Sequence, residues 1–182
     1  MRALGELLPG VRLLELAPRF DERGFFARAF CRATLADLEV DLPVVQANLS
    51  RSHTTGTLRG LHYQLPPSAE TKLVLCLDGA IWDCVLDLRP DSPSFGRWAA
   101  VELSADNHRA ILVPPGCAHG FLTLVPDCLV LYFVSAAYDP ARERGVRWND
   151  PAFSIAWPFE PRLVSERDRR HPDFCPAFHL AA

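Results

Sequence analysis

Apolar residues in this chain recur in short runs broken by Gly, Pro, Asp and Ser, and the spacing within each run is that of strands. "KLVLCLDGAIWDCVLDL" reads as two strands meeting at Asp78-Gly79, a two-residue signal that favours a hairpin with primed turn geometry. "RWAAVELS", "HRAILVPPG", "HGFLTLV" and "CLVLYFVSAAY" read as further strands. Only "RATLADLEV", Arg32 to Val40, has a helical pattern, and it is short. Many short strands and little helix predict an all-β fold, an antiparallel sandwich or barrel. The last third, rich in Pro, Trp and Asp, is expected to wrap that barrel. With no repeat, low-complexity tract or Gly/Ser linker in 182 residues, the expectation is one domain over residues 1–182.

Composition sharpens this picture in three ways. A hydrophobic content of 49% supports a real core, and a net charge of −3 with dispersed basic residues gives no drive toward nucleic acid or an anionic membrane. A small phosphorylated ligand needs only a few cations and stays open. Cys31, Cys76, Cys84, Cys117, Cys128 and Cys175 show no metal-ligand spacing, and several sit in apolar runs as free buried thiols do. "MRALGELLPG" lacks the apolar core of a signal peptide, and no apolar run suffices to cross a bilayer. A cytoplasmic protein is the default.

Candidate chemistry centres on "RGLHYQLPPSAETKLV" and "PPGCAHGF". In the second, Pro114, Gly116 and His119 form a P-x-G-x-x-H pattern between two strands. This resembles the second motif of cupins, jelly-roll barrels whose first motif supplies His-x-His and an acidic residue in metal-binding members. Here that first motif holds only His62, followed by Tyr63 and Gln64. Two histidines fall below the usual ligand count for a transition metal, so no metal and no cofactor are expected. A single imidazole suits proton transfer near neutrality, although the ordinary fate of a lone histidine is a packed or turn position.

The neighbours of His62 carry more weight. Arg59 lies three residues before it and Lys72 ten after. Lys72 either marks the exposed start of its strand or points inward, where desolvation calls for an anion or a developing oxyanion. Tyr132, inside an apolar run, is expected to be at least partly buried, with a hydroxyl that needs a partner. In isolation, a packing tyrosine whose hydroxyl reaches the barrel end is the favoured reading. Tyr138 shares its period-2 parity only if the strand runs through "YDP". Asp168, in "SERD", reads by spacing as solvated surface. Asp83 reads as a rim carboxylate or as a support for the site.

These pieces together resemble the dTDP-4-dehydrorhamnose 3,5-epimerase family. The similarity runs in order through "DERGFFARAF", "QANLSRSHTTGTLRGLHYQ", "KLV", "DGAIWDCVLDLRPDSPSFGRW", "VPPGCAHGF", "LYFVSAAYDPARERGVRWNDP", "IAWP" and "LVSERD". The resemblance implies a cupin-like jelly roll that needs no cofactor. It also implies a substrate, a dTDP-linked 4-keto-6-deoxyhexose inverted at carbons 3 and 5. His62 matches the general base, Asp168 the carboxylate orienting it, Tyr132 the acid of the opposite face, and Lys72 the cation beside the ketone oxygen. Arg23, Phe26, Gln46, Asn48, Arg59, His119, Tyr138, Glu143 and Arg167 match positions contacting the nucleotide sugar. Arg23 and Phe26 lie in a segment that reaches the neighbouring subunit's site in the family, which implies a homodimer. One departure stands out: where the family has a glutamate in "GFFxExF", this chain has Arg28. The rival readings are a monofunctional 3- or 5-epimerase, a metal-dependent cupin and a non-catalytic sugar-nucleotide-binding jelly roll.

Overall fold

A computed structural model describes residues 1–181. Strands β1 (Arg2–Leu8), β2 (Val11–Glu15), β3 (Arg19–Asp21) and β4 (Gly24–Phe26) lead to helix α1 (Arg32–Asp37). Then follow β5 (Gln46–Ser52), β6 (Thr57–Gln64), β7 (Lys72–Asp78), β8 (Ala80–Asp87), β9 (Trp98–Ser104), β10 (Arg109–Val113), β11 (Cys117–Thr123) and β12 (Cys128–Val134). The chain closes with β13 (Glu143–Gly145), β14 (Leu163–Val164), α2 (Glu166–Arg169) and α3 (Pro176–His179). One sheet has the order β1-β2-β10-β7-β12-β5, the second β13-β6-β11-β8-β9 with β14 beside β6, and β3–β4 is a separate hairpin. All pairings except β14 with β6 are antiparallel. This is the antiparallel sandwich that the alternating runs predict, and the jelly roll that the resemblance implies.

The predicted hairpin at Asp78-Gly79 is not formed. β7 pairs with β10 and β12, whereas β8 pairs with β9 and β11. The turn carries the chain from one sheet to the other, with Gly79 at φ +75° and its α-carbon packed against Cys128. An apolar alternation specifies a strand and its faces but not its partner, so two strands joined by Asp-Gly can pair with others.

Three apolar layers hold the sandwich. Between the sheets, Val74 and Cys76 meet Ile81, Val85, Val113, Phe121 and Val130. Outside the first sheet, Leu35, Val40 and Leu42 cover Leu14, Leu73, Leu75 and Leu112. Outside the second, Ile155, Trp157, Phe174 and Leu180 cover Leu61, Tyr63, Cys84 and Leu86. The central strands are therefore wet on neither face, which is why β8 reads as almost continuously apolar. Helix α1 stops at Asp37, short of the expected Val40, because Glu39 turns left-handed at φ 57° and the Val40 amide donates back to the Leu35 carbonyl. No side chain caps its start. Its anchor is Leu35, 1% exposed, whose burial contributes about 1.5–3 kcal/mol. No helix among the described residues is long and apolar enough to cross a membrane.

Candidate active site

A cavity of about 710 Å³ opens between the sheets at one end of the sandwich. The first sheet contributes Gln46 and Asn48 from β5, Lys72 from β7, and Tyr132 and Val134 from β12. Register explains the grouping: Tyr132 lies opposite Asn48, and Val134 lies opposite both Gln46 and Lys72. The second sheet contributes Arg59, His62 and Gln64 from β6, and His119 and Phe121 from β11. Arg59 and His62 are three residues apart and would face opposite sides of a regular strand. They share the cavity because β6 carries one extra residue between the pairs Phe121–Arg59 and His119–His62. Gly60 permits this irregularity: at φ +116°, a side chain there would meet the backbone of His119 and Gly120.

His62 is joined to Asp168 through Nε2 and Oδ1 at 2.7 Å. Contrary to the surface reading of "SERD", Asp168 is buried. Ser165 caps α2 by accepting the Asp168 amide at 3.0 Å, which seats the carboxylate in the helix's first turn. The Gly60 amide donates to Oδ2 at 3.3 Å. Burial alone raises the Asp168 pKa, but the His171 and His62 imidazoles and the Gly60 amide hold it well below the carboxylate range. Burial lowers the pKa of His62 from its ordinary value and outweighs the raising effect of the Asp168 hydrogen bond and charge. With Nε2 committed to the carboxylate, Nδ1 is the ring nitrogen free to accept a proton.

Lys72 is buried rather than marking an exposed strand start. Its ammonium donates to the His62 carbonyl at 3.0 Å and pairs with Glu70 at 3.1 Å. Glu70 also accepts from Gln64 Nε2 at 2.9 Å. Tyr132 is half-buried on the opposite sheet from His62, and burial pushes its pKa up, partly offset by Arg59. His119 bonds through Nε2 to Asp83 at 2.8 Å, so Asp83 is fully buried and not a rim carboxylate.

The cavity mouth is polar. Arg59 is held by Ser52 Oγ and the Arg51 carbonyl, each accepting at 3.0 Å. Arg167 pairs with Glu143, which also accepts the Tyr138 hydroxyl at 2.6 Å. Tyr138 lies beyond the end of β12, so its place at the cavity follows from the loop and not from strand parity. Gln46 donates to Asn48 at 2.7 Å. Arg23 and Phe26 do not line this cavity: both are exposed on the β3–β4 hairpin, with Arg23 paired to Asp21. Phe26 and Arg28 line a smaller pocket of about 250 Å³ with Arg19, Cys31 and Thr34.

Glu70 and His171 were not expected from the sequence. The only signal for Glu70 is its nearness to Lys72, two positions on, since it lies in the loop before β7. His171 stands three residues after Asp168, in a charged segment that reads as surface. Its Nε2 is buried and lies 3.7 Å from Asp168 Oδ1, near enough to act on its charge but beyond hydrogen-bond distance.

The chain is similar to known proteins along nearly its whole length. Residues 6–175 match the family model described as dTDP-4-dehydrorhamnose 3,5-epimerase. The dTDP-4-dehydrorhamnose 3,5-epimerase of Pseudomonas aeruginosa is 40% identical over 180 residues, covering 97% of this chain and 98% of its own. The crystal structure of the Bacillus anthracis dTDP-4-dehydrorhamnose 3,5-epimerase, with TDP and PPi bound, superposes with a TM-score of 0.93 at 43% identity, covering 95% of this chain and 99% of that one. A 3'-monoepimerase from Streptomyces bikiniensis in complex with dTDP-quinovose superposes with a TM-score of 0.86 at 37% identity, covering 95% and 88%.

Proposed function

The chain belongs to the dTDP-4-dehydrorhamnose 3,5-epimerase family of isomerases, and from that premise we propose that it converts dTDP-4-dehydro-6-deoxy-D-glucose to dTDP-4-dehydro-L-rhamnose. His62 Nδ1 takes the proton from a carbon beside the ketone, and Asp168 steadies the imidazolium that results. The electron pair moves onto the ketone oxygen, where the Lys72 ammonium stabilises the enolate as an oxyanion donor. Tyr132 returns a proton to the opposite face of the same carbon. The imidazolium and tyrosinate then exchange protons with solvent, which restores the enzyme. Carbons 3 and 5 both flank the ketone, so one base, one acid and one cation serve each in turn.

The observation that carries this reading is the position of His62 and Tyr132 on opposite sheets across one cavity. Inversion needs proton carriers on the two faces of the carbon, and two facing sheets supply them. Arg59 and Arg167 suit the diphosphate as guanidinium forks, with Gln46, Asn48, His119, Tyr138 and Glu143 holding the rest of the nucleotide sugar. Arg23 and Phe26, exposed here, fit the cavity of a second copy in a homodimer. All six cysteines are free thiols, which fits a cytoplasmic enzyme.

The test is proton exchange in deuterium oxide with dTDP-4-keto-6-deoxyglucose, followed by NMR at each sugar carbon. Label at carbons 3 and 5 with inverted product is the expected result. Label at one carbon alone assigns a monoepimerase, and binding without label refutes catalysis.

A further inference from the structure

His62, Asp168 and His171 each present a ligand atom, and the three atoms lie within 4.8 Å of one another. We propose that these residues form a binding site for a zinc-class divalent cation, and that its occupation switches the base off. The inference rests on the reading of His62 as that base. It is separate from the cupin metal site, which the sequence disfavours, because it uses neither His119 nor a His-x-His pair.

Four observations support it. Two imidazoles and a carboxylate are a donor set that zinc takes with an open fourth position, and here His62 opens that position to the cavity. The His171 Nε2 is buried and unpartnered, facing a carboxylate it is too far away to bond. A cation would give that nitrogen a partner and would replace the His62 proton on the carboxylate. The ring's place is also built into the sheet: Gly145 registers opposite His62, and a side chain on it would overlap the His171 imidazole. Nearby positive charge is compensated, since Lys72 is paired with Glu70 and Arg167 with Glu143. Zinc–nitrogen bonds of about 2.0–2.1 Å in a tetrahedral arrangement set two ligand atoms about 3.4 Å apart. Closing a 4.8 Å spread therefore takes a combined side-chain movement of about 1.4 Å.

The switch follows from the tautomer. As a base, His62 keeps its proton on Nε2, bonded to Asp168, and its lone pair on Nδ1. A cation on Nε2 displaces that proton, which re-enters the ring at Nδ1 through solvent. Nδ1 is then an N–H with no lone pair, and no net proton is released. Substrate still binds, but the α-proton has no acceptor.

Zinc chloride titrated into the metal-free full chain tests this by two readouts. Calorimetry measures binding, and deuterium exchange into the sugar measures the base relative to each protein's own metal-free rate. Wild type is expected to bind one zinc and lose exchange, recovering it with chelator. His171→Gln, which fills the same space, is expected to bind zinc more than about 100-fold less tightly, beyond the 10–100-fold lost with an outer partner. Gly145→Ala, which pushes the ring aside, is expected to do the same, so the result does not rest on one variant. Zinc that binds His171→Gln as tightly as wild type, through Cys31 or Cys175 for instance, overturns the site. Tight binding with exchange unaffected overturns the switch. Exchange that rises with zinc, or is absent from metal-free wild type, refutes the proposed function instead.

Discussion

Replacing Lys72 by methionine separates two roles of one ammonium, one proposed for the reaction and one visible in the structure. Its first role is toward the enolate. Removal of one oxyanion donor typically raises the barrier by about 2.7–4 kcal/mol, or roughly 100- to 1,000-fold in kcat. Its second is toward Glu70, which is 9% exposed and lies 3.1 Å from the ammonium. Breaking one partner out of such a buried pair costs about 3–5 kcal/mol of stability. Gln64 Nε2 still donates to the carboxylate, which places the cost at the lower end. Lys72→Met is therefore expected to lose both turnover and stability. Lys72→Met/Glu70→Gln is expected to recover most of the stability, because the stranded carboxylate is gone, and none of the turnover. Urea denaturation measures the first quantity and single-turnover deuterium exchange the second. A double variant that regains exchange to within tenfold of wild type would show that Lys72 serves only to neutralise Glu70, and the enolate argument would fail.

Three further outcomes are expected. His62→Ala should abolish exchange at every carbon, while Tyr132→Phe should impair net inversion more than proton removal; NMR of label and product distinguishes them, and exchange surviving in His62→Ala would show the base misassigned. Asp87, though buried, is held well below the carboxylate range by hydrogen bonds from Arg89, Ser92 and Ser94. Because its folded pKa is depressed, its stabilisation is full above the unfolded value near pH 4 and declines as pH falls below it; Asp87→Asn should lower Tm at pH 7 and flatten that acid dependence. Gly60→Ala sets a β-carbon against the Gly120 α-carbon and the His119 carbonyl at φ +116°, and should destabilise by more than about 1 kcal/mol, read by thermal melting.

The strands were legible because a half-buried sheet forces alternation, and the closed sandwich adds near-continuous apolar runs in β8 and β11. Pairing was not, as the Asp78-Gly79 crossover shows, since a strand's partner depends on the whole topology. His62 and Lys72 were legible by company, lying in one short stretch of chain. Asp168 was legible only through the resemblance, since its spacing reads as surface, and His171 was not legible at all. Both reach the site from more than a hundred residues away in sequence (106 for the His62–Asp168 bond), Asp168 on the four-residue α2 and His171 two residues beyond its end. Asp83 stayed open between a rim carboxylate and a support for the site because burial of a carboxylate is stable only with its partner, and His119 is brought to it by strand pairing across 36 residues.

The placement of base and acid on facing sheets has a consequence for how such an enzyme diverges. The gap that the reacting carbon must fit is the thickness of the sandwich, and that thickness is a packing dimension. Val74, Val85, Phe121 and Val130 pack between the two sheets that carry the proposed proton carriers, His62 and Tyr132, although none bears a reactive group. A methylene gained or lost among them alters the distance across which a proton is exchanged for another. Which carbon is inverted can thus be retuned from the core, with every catalytic side chain left in place.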